Sequence, residues 1–428
     1  MPDLLSRLRA LPNKIRVGVI GIGNIGRGIV YQVDATPGMV CVAIADTSLE
    51  RATGWAEHLG RAYAIVETAP EMNAAIRQGL LAVCSDGLLV SACDQVDVLV
   101  DASTGGGQFA LEAITHHKHV VMMNCEADLM YGPYLLARAD REGVVYTSAD
   151  GDQHTVLKRL MNETELWGFK TVMAGNMKGF LDRYSNPTSI IPEAQKRCMD
   201  PKMCASYTDG TKLCVEMALI ANGIGALTPV PGMLGPRVPD IYQVFDHFDL
   251  DKLWDGSTPL VDFTLGTRPP GGVFLIGYTD HPHQVETLSW YPCRLGPGPF
   301  YVFHRPYHLG HFEIAACITE AFLDHQPLLQ PRYGFSTNVY AYAKKDLRAG
   351  DVLDGIGGYT GYGLIENCED NRQRPGLPIC LAEKTVLRRD IGKDEKIRLE
   401  DVEYDSSSPE FTLFRLAQES APQESPRK

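Results

Sequence analysis

Residues 15–28 read IRVGVIGIGNIGRG, and the spacing of Gly21, Gly23 and Gly26 within them restricts the fold more than any other feature of the chain. An apolar strand over 15–20 runs into G-x-G-x-x-G, and a helical stretch follows at once. In that setting the first glycine permits a tight turn and the second lets backbone approach a pyrophosphate. The third allows helix and strand to pack closely. Asn24 and Ile25 open the helix, whose unpaired N–H groups face the phosphates. Asp46 ends the next apolar run, MVCVAIAD over 39–46, 20 residues beyond Gly26. An acid there receives the adenosine ribose hydroxyls. Its charge disfavours a 2′-phosphate and so favours NAD, while Arg51, five residues on, keeps NADP open.

Further apolar runs at 96–104, 119–124 and 143–148 are separated by helix-length gaps. Such alternation predicts an α/β domain with a doubly wound parallel sheet over residues 1–150. Ser103, Thr104 and Gly105 end one of these strands, where open α/β sheets bind ligands, and flank the nicotinamide half of the site. An ordinary glycine-rich turn is the alternative reading of those three.

Residues 151–336 change to mixed strands and helices with many Gly, Pro and Tyr residues, predicting an α+β domain. Residues 337–405 carry an internal echo, KKDLRAGDVL against LRRDIGKDEKI, and predict a small β-rich module. The polar, Ser/Pro-rich end, 406–428, predicts a flexible tail.

The 428 residues are 44% hydrophobic and 22% charged, enough for sizeable cores. A net charge of -13 repels phosphate backbones and anionic lipid, which excludes nucleic acid and membrane surfaces as partners. There is no apolar run of about 18 residues and no secretory leader pattern. Eleven cysteines without a C-x-x-C pair fit reduced thiols, so a cytoplasmic location is expected.

A hydride-transfer site needs a proton donor for the carbonyl oxygen and groups that fix the rest of the substrate. Three clusters qualify. Gly151-Asp152-Gln153 lies just past the last strand of the first domain, and Gly175-Asn176-Met177-Lys178 follows the short strand KTVMA. The third, from Ser206 to Lys212, holds Asp209 and Thr211 and leads into KLCVEMALIAN, with Leu213, Met217 and Ile220 on its buried face. Hydroxyls, an Asp and a Lys at a helix start suit a carboxylate or phosphate substrate. A capped helix with a surface Lys212/Glu216 pair is the competing reading, but Lys before Glu is the less favourable order. His304, His308, His311 and Glu313 invite a metal reading that Pro306 weakens, and no metal ligand is assigned. Cys125 and Glu126 lie near the expected cleft, but a Cys there reads as packing.

GIGNIGRG, MMNCEAD, ADGDQ, AGNMKGF, NPTS, TDGTKLCVEMALIANGIG, RPYHLGHFE and KDLRAGDVLDGIGG together resemble the homoserine-dehydrogenase-like oxidoreductases with a C-terminal SAF domain, including reductoisomerase-like enzymes acting on 1-deoxyxylulose 5-phosphate (DXP). The resemblance runs from about residue 15 to 405. It implies a Rossmann domain, a catalytic and dimerising α+β domain, a β-clip SAF module and NAD(P)-dependent chemistry in a homodimer. Lys178, Asp209, Lys212, Glu216 and Asn222 fall on its motifs as candidates for substrate binding and proton transfer. Asp46 departs from the reductoisomerase pattern, and Asp394 stands where the SAF module has a turn glycine.

The resulting expectation is an NAD(P)-dependent oxidoreductase acting on a small polar anion, with Lys178 or Lys212 as general acid and Asp209, Glu216 and Asn176 orienting the substrate. A reductoisomerase acting on a sugar phosphate with a divalent cation is the enzymatic alternative. A dinucleotide sensor without turnover is the non-enzymatic one.

Overall fold

A computed structural model describes residues 3–422, and the chain divides into two compact units. The first comprises 1–155, 309–330 and 413–420; the second comprises the remainder.

In the first unit, strands β1 (Ile15–Ile20), β2 (Met39–Ala45), β3 (Tyr63–Ile65), β4 (Leu81–Cys84), β5 (Val98–Asp101), β6 (His119–Met122) and β7 (Tyr146–Ser148) form one parallel sheet in the order β3-β4-β2-β1-β5-β6-β7. The order reverses at β1, so β1 and β5 border the switch point at which such sheets bind ligands. β3 and β4 were not foreseen, because three or four residues carry too little periodicity to stand out. β1 and β5 are buried apolar runs, as a strand covered on both faces must be.

Residues 309–330, placed by sequence in the middle domain, belong to this unit. Ile314, Cys317, Ile318 and Leu328 are buried in the same core as Ile15, Val17 and Val98. Their amphipathic pattern shows a buried face without showing which core takes it. The expected flexible tail is also corrected, since Pro409–Ser420 is a helix that buries Phe414 and Ala417. Residues 423–428 lie outside the described chain.

In the second unit, β8 (Lys170–Lys178), β9 (Leu260–Leu265), β10 (Val273–Tyr278) and β11 (Phe300–Arg305) pair in the order β11-β10-β8-β9. β8 is antiparallel to β10 and parallel to β9. The helix Thr211–Ile224 packs on β8 and β9 and also on β12 (Thr337–Ala343) and β13 (Gly361–Asn367). Two sheets therefore bury it nearly all round, where one buried face was expected.

Residues 337–405 lie within this unit, where β12 pairs with β13 and β14 (Val386–Leu387) pairs with β15 (Val402–Glu403). The internal echo has a structural counterpart. Leu347 and Ile391, equivalent in the two halves, exchange backbone hydrogen bonds of 2.9 and 3.0 Å. Asp390 accepts from the Ala349 N–H at 2.9 Å, and Asp346 reciprocally accepts from Lys393 at 2.8 Å.

Candidate active site

The turn after β1 has the geometry its glycines require. Gly21 has φ +90°, and a methyl group on it would lie 2.5 Å from the Ala102 carbonyl oxygen. A methyl on Gly26 would lie 1.8 Å from the Gly21 carbonyl oxygen. Both positions are set by the packing of the protein itself. Gly23 is different, because a methyl group there would meet nothing within 4 Å. It is the N-cap of the helix Asn24–Ala35 and makes no side-chain cap bond. The helix start therefore faces open space, as a phosphate cradle must.

Asp46 follows β2 directly and is buried. Its Oδ2 accepts the Ile22 N–H at 2.8 Å and its Oδ1 accepts that of Ser48 at 2.8 Å. Arg51 stands 3.3 Å away as its ion-pair partner and is half exposed. The acid thus ties the glycine turn to the end of β2, a coupling that sequence distance did not reveal. His311 was also missed as part of this frame. Its ring lies so close to Gly28 that a methyl there would come within 2.4 Å, and burial lowers its pKa.

The carboxyl ends of β5, β6 and β7 bring three groups of side chains to one edge of the sheet. After β5, the N–H and hydroxyl of Ser103 donate to Asp101 Oδ1 at 3.0 and 2.7 Å, and Ser103 Oγ accepts from the Gly105 N–H at 3.1 Å. Burial raises the Asp101 pKa to about 6 against these lowering bonds. Thr104 and Gly105 are exposed. After β6, Asn124 Nδ2 donates to the Gly105 carbonyl at 2.7 Å, and its Oδ1 caps the helix Cys125–Glu142. After β7, Gly151 has φ +99° and its carbonyl accepts the Gly310 N–H at 2.9 Å. A methyl on Gly151 would meet the Gly310 oxygen at 2.0 Å. This turn leads to Asp152, Gln153 and His154, with Gln153 and His154 buried.

One cluster of possible metal ligands also gathers at this edge of the sheet. Ligand atoms of Cys125, Asp152 and His154 all lie within 4.8 Å of one another. Only folding joins the ends of β6 and β7, and nothing in the sequence around His154 marks it out. His304, by contrast, sits on β11 with its ring nitrogen 3.2 Å from the Tyr242 hydroxyl.

In the second unit β8 runs through Asn176 and Lys178, so neither lies in a loop after the strand. Asn176 is fully buried, while Lys178 retains partial access to solvent. Burial is the main influence on Lys178 and lowers its pKa, opposed by Glu216 and Asp209 and reinforced by Arg197. Lys212 and Glu216 are both buried, which overturns the surface-pair reading.

Asp209 pairs with Lys344 at 2.8 Å, both side chains being almost wholly enclosed. Burial raises the Asp209 pKa and Lys344 pulls it back. Lys344 also donates to the carbonyls of Ser185 and Gly358 at 2.6 and 2.8 Å. It lies 135 residues from Asp209 in a segment read for its repeat, so sequence offered no signal for the pair. Thr211 and Asn222, expected to bind substrate, are buried. Thr211 Oγ1 accepts from the Gly363 N–H at 2.8 Å and Asn222 Oδ1 from the Thr337 N–H at 2.9 Å.

Residues 151–314 match the family model described as the catalytic domain of oxidoreductase DRL. The matched model is that of an oxidoreductase catalytic domain, and the parallel sheet with its glycine turn has the dinucleotide-binding type of fold. Among solved structures, a probable dehydrogenase from Thermotoga maritima is 12% identical, with 73% of this chain and 90% of that one covered at a TM-score of 0.40. A DOX-P reductoisomerase in complex with magnesium is 14% identical, with 48% and 56% covered at 0.35. The chain thus spans just over half of that reductoisomerase. A myo-inositol dehydrogenase from Lactobacillus casei, in complex with NAD(H) and myo-inositol, is 21% identical, with 41% and 50% covered at 0.30. No curated protein matches this chain by sequence.

Proposed function

We propose that this enzyme transfers hydride between NAD and the carbonyl carbon of a small polar substrate bearing a carboxylate or phosphate, with Lys178 as the proton donor. Reduction of a carbonyl leaves an alkoxide, and a positioned acid that protonates it contributes about 10²–10⁴-fold to the rate. The observation that carries the reading is the setting of Lys178. Burial brings its ammonium closer to the neutral form, while Glu216 and Asp209 keep the proton available. A lysine so placed can both give and take a proton. Lys212 is the second candidate donor, with Asn176 and Glu216 orienting the substrate. Asp209, held by Lys344, acts by positioning. NAD is favoured over NADP because the Asp46 carboxylate occupies the ribose end of the cradle and holds Arg51.

The test is a panel of hydroxy acids, polyols and their phosphates, followed by the absorbance of the reduced nicotinamide with either coenzyme. Lys178→Met retains dinucleotide affinity and lowers turnover by about a hundredfold or more. Turnover equal to the parent enzyme's overturns the assignment.

A further inference from the structure

The geometry points to a divalent metal site of the zinc class formed by Cys125 Sγ, a carboxylate oxygen of Asp152 and a ring nitrogen of His154. The three donor atoms lie within 4.8 Å of one another, Cys125 and His154 buried and Asp152 partly so. Bonds of about 2.0–2.3 Å from thiolate, imidazole and carboxylate to one ion place donors some 3–4 Å apart, a closure that small side-chain rotations supply. The donors also come from rigid places. Cys125 opens a long helix capped by Asn124, and Asp152 and His154 follow a turn whose Gly151 admits no side chain.

A thiol nucleophile activated by a histidine is the competing use of the same residue types, but it requires a line in which the base stands between nucleophile and carboxylate. Here the Cys125 thiol donates directly to Asp152 Oδ2 at 3.4 Å, so the carboxylate faces the sulfur. Mutual convergence of all three donors suits a cation. One sulfur, one nitrogen and one oxygen select zinc or a similar transition ion over magnesium. When the ion binds, the thiol proton passes to solvent, and thiolate and carboxylate together balance the dication. Three protein ligands leave a fourth position for water or a substrate oxygen, the pattern of catalytic rather than structural zinc. Polarising a substrate carbonyl at that position rests on the function proposed above; binding of the ion does not.

Cobalt(II) added to the chelator-treated full chain is the probe. One equivalent binds and gives the near-ultraviolet sulfur-to-cobalt charge-transfer band with the visible bands of a four-coordinate ion. Cys125→Ser abolishes the charge-transfer band. Asp152→Asn and His154→Gln each weaken cobalt affinity at least about tenfold, the least that even an outer-sphere partner contributes. Metal-free variants are compared with the parent by thermal melting, so a loss caused by misfolding is recognised and Asp152→Asn serves as the mildest replacement. Cobalt bound without the sulfur band, no stoichiometric binding, or an unchanged spectrum in Cys125→Ser overturns the site. Dinucleotide affinity is measured separately: a chain that binds coenzyme but not cobalt loses this site and keeps the proposed function.

Discussion

A methyl group on Gly26 would stand 1.8 Å from the carbonyl oxygen of Gly21, whereas one on Gly23, between them in sequence, would touch nothing within 4 Å. The three glycines of one motif therefore serve two ends, and substitution separates them. Gly26→Ala forces helix and turn apart and destabilises the fold by about 3 kcal/mol. Gly23→Ala costs about 1 kcal/mol as a poorer helix cap, or about 2–4 °C of melting temperature, but raises the dinucleotide Kd about tenfold or more by filling the cradle. Thermal melts and a fluorescence titration of each variant check the split.

Asp46 both anchors the Ile22 and Ser48 amides and holds Arg51. Asp46→Asn removes the charge and frees the guanidinium for a 2′-phosphate. The expected outcome is weaker NAD binding and a shift of about tenfold in relative affinity toward NADP. Calorimetric titration with both coenzymes measures it, and an unchanged ratio refutes the role given to the acid.

The Asp209–Lys344 pair predicts a strongly asymmetric pair of substitutions. Lys344→Met leaves a carboxylate and two carbonyls without the lysine they face. Removing one partner of a buried pair costs about 3–5 kcal/mol, while replacing both partners by apolar residues is often close to neutral. Urea unfolding of Lys344→Met and of the double variant Asp209→Leu/Lys344→Met reads the difference directly.

Asp128 accepts hydrogen bonds from Tyr146 and Ser148, both at 2.6 Å, and burial raises its pKa to about 6 against those lowering bonds. The unfolded value is near 3.8. Between about pH 4 and 6 the folded state therefore holds the extra proton, and this group's contribution to stability falls as pH rises through that window. Above it the loss is complete, of order 3 kcal/mol. Asp128→Asn flattens this component of the profile of melting temperature against pH between 4 and 6; an unaltered slope counts against it.

The strand, glycine turn and helix that open the first unit are legible in the sequence because their determinants are local. Gly21, Gly23, Gly26 and Asp46 act through a strand, a turn and a helix that are contiguous or one crossover apart. The middle of the chain was harder to read. Lys178 and Asn176 were picked out by residue type, but a strand of nine residues was read as a shorter one because Gly175 looked like an end. For Lys212 and Glu216 a surface pair competes with a functional role in the sequence, because the burial that rules it out comes from a second sheet against the same helix. Lys344 and His154 left no mark at all, since what they do depends on partners brought together by the fold. The echo in 344–397 was seen as a repeat, and its reciprocal Asp346 and Asp390 contacts show why both halves keep that residue type.

The unit that carries the glycine turn is not a continuous stretch of the chain. The edge strand β7 rests on residues from 328–330: Thr147 Oγ1 accepts the Leu328 and Leu329 amides, and Gln330 Nε2 donates to the Tyr146 carbonyl. Ribosomal synthesis must reach residue 330 before this sheet can close, so the nascent part that carries the other strands waits, unfinished, for a segment made much later. Excising the first 155 codons for expression would yield a fragment with an open flank rather than a miniature coenzyme-binding protein.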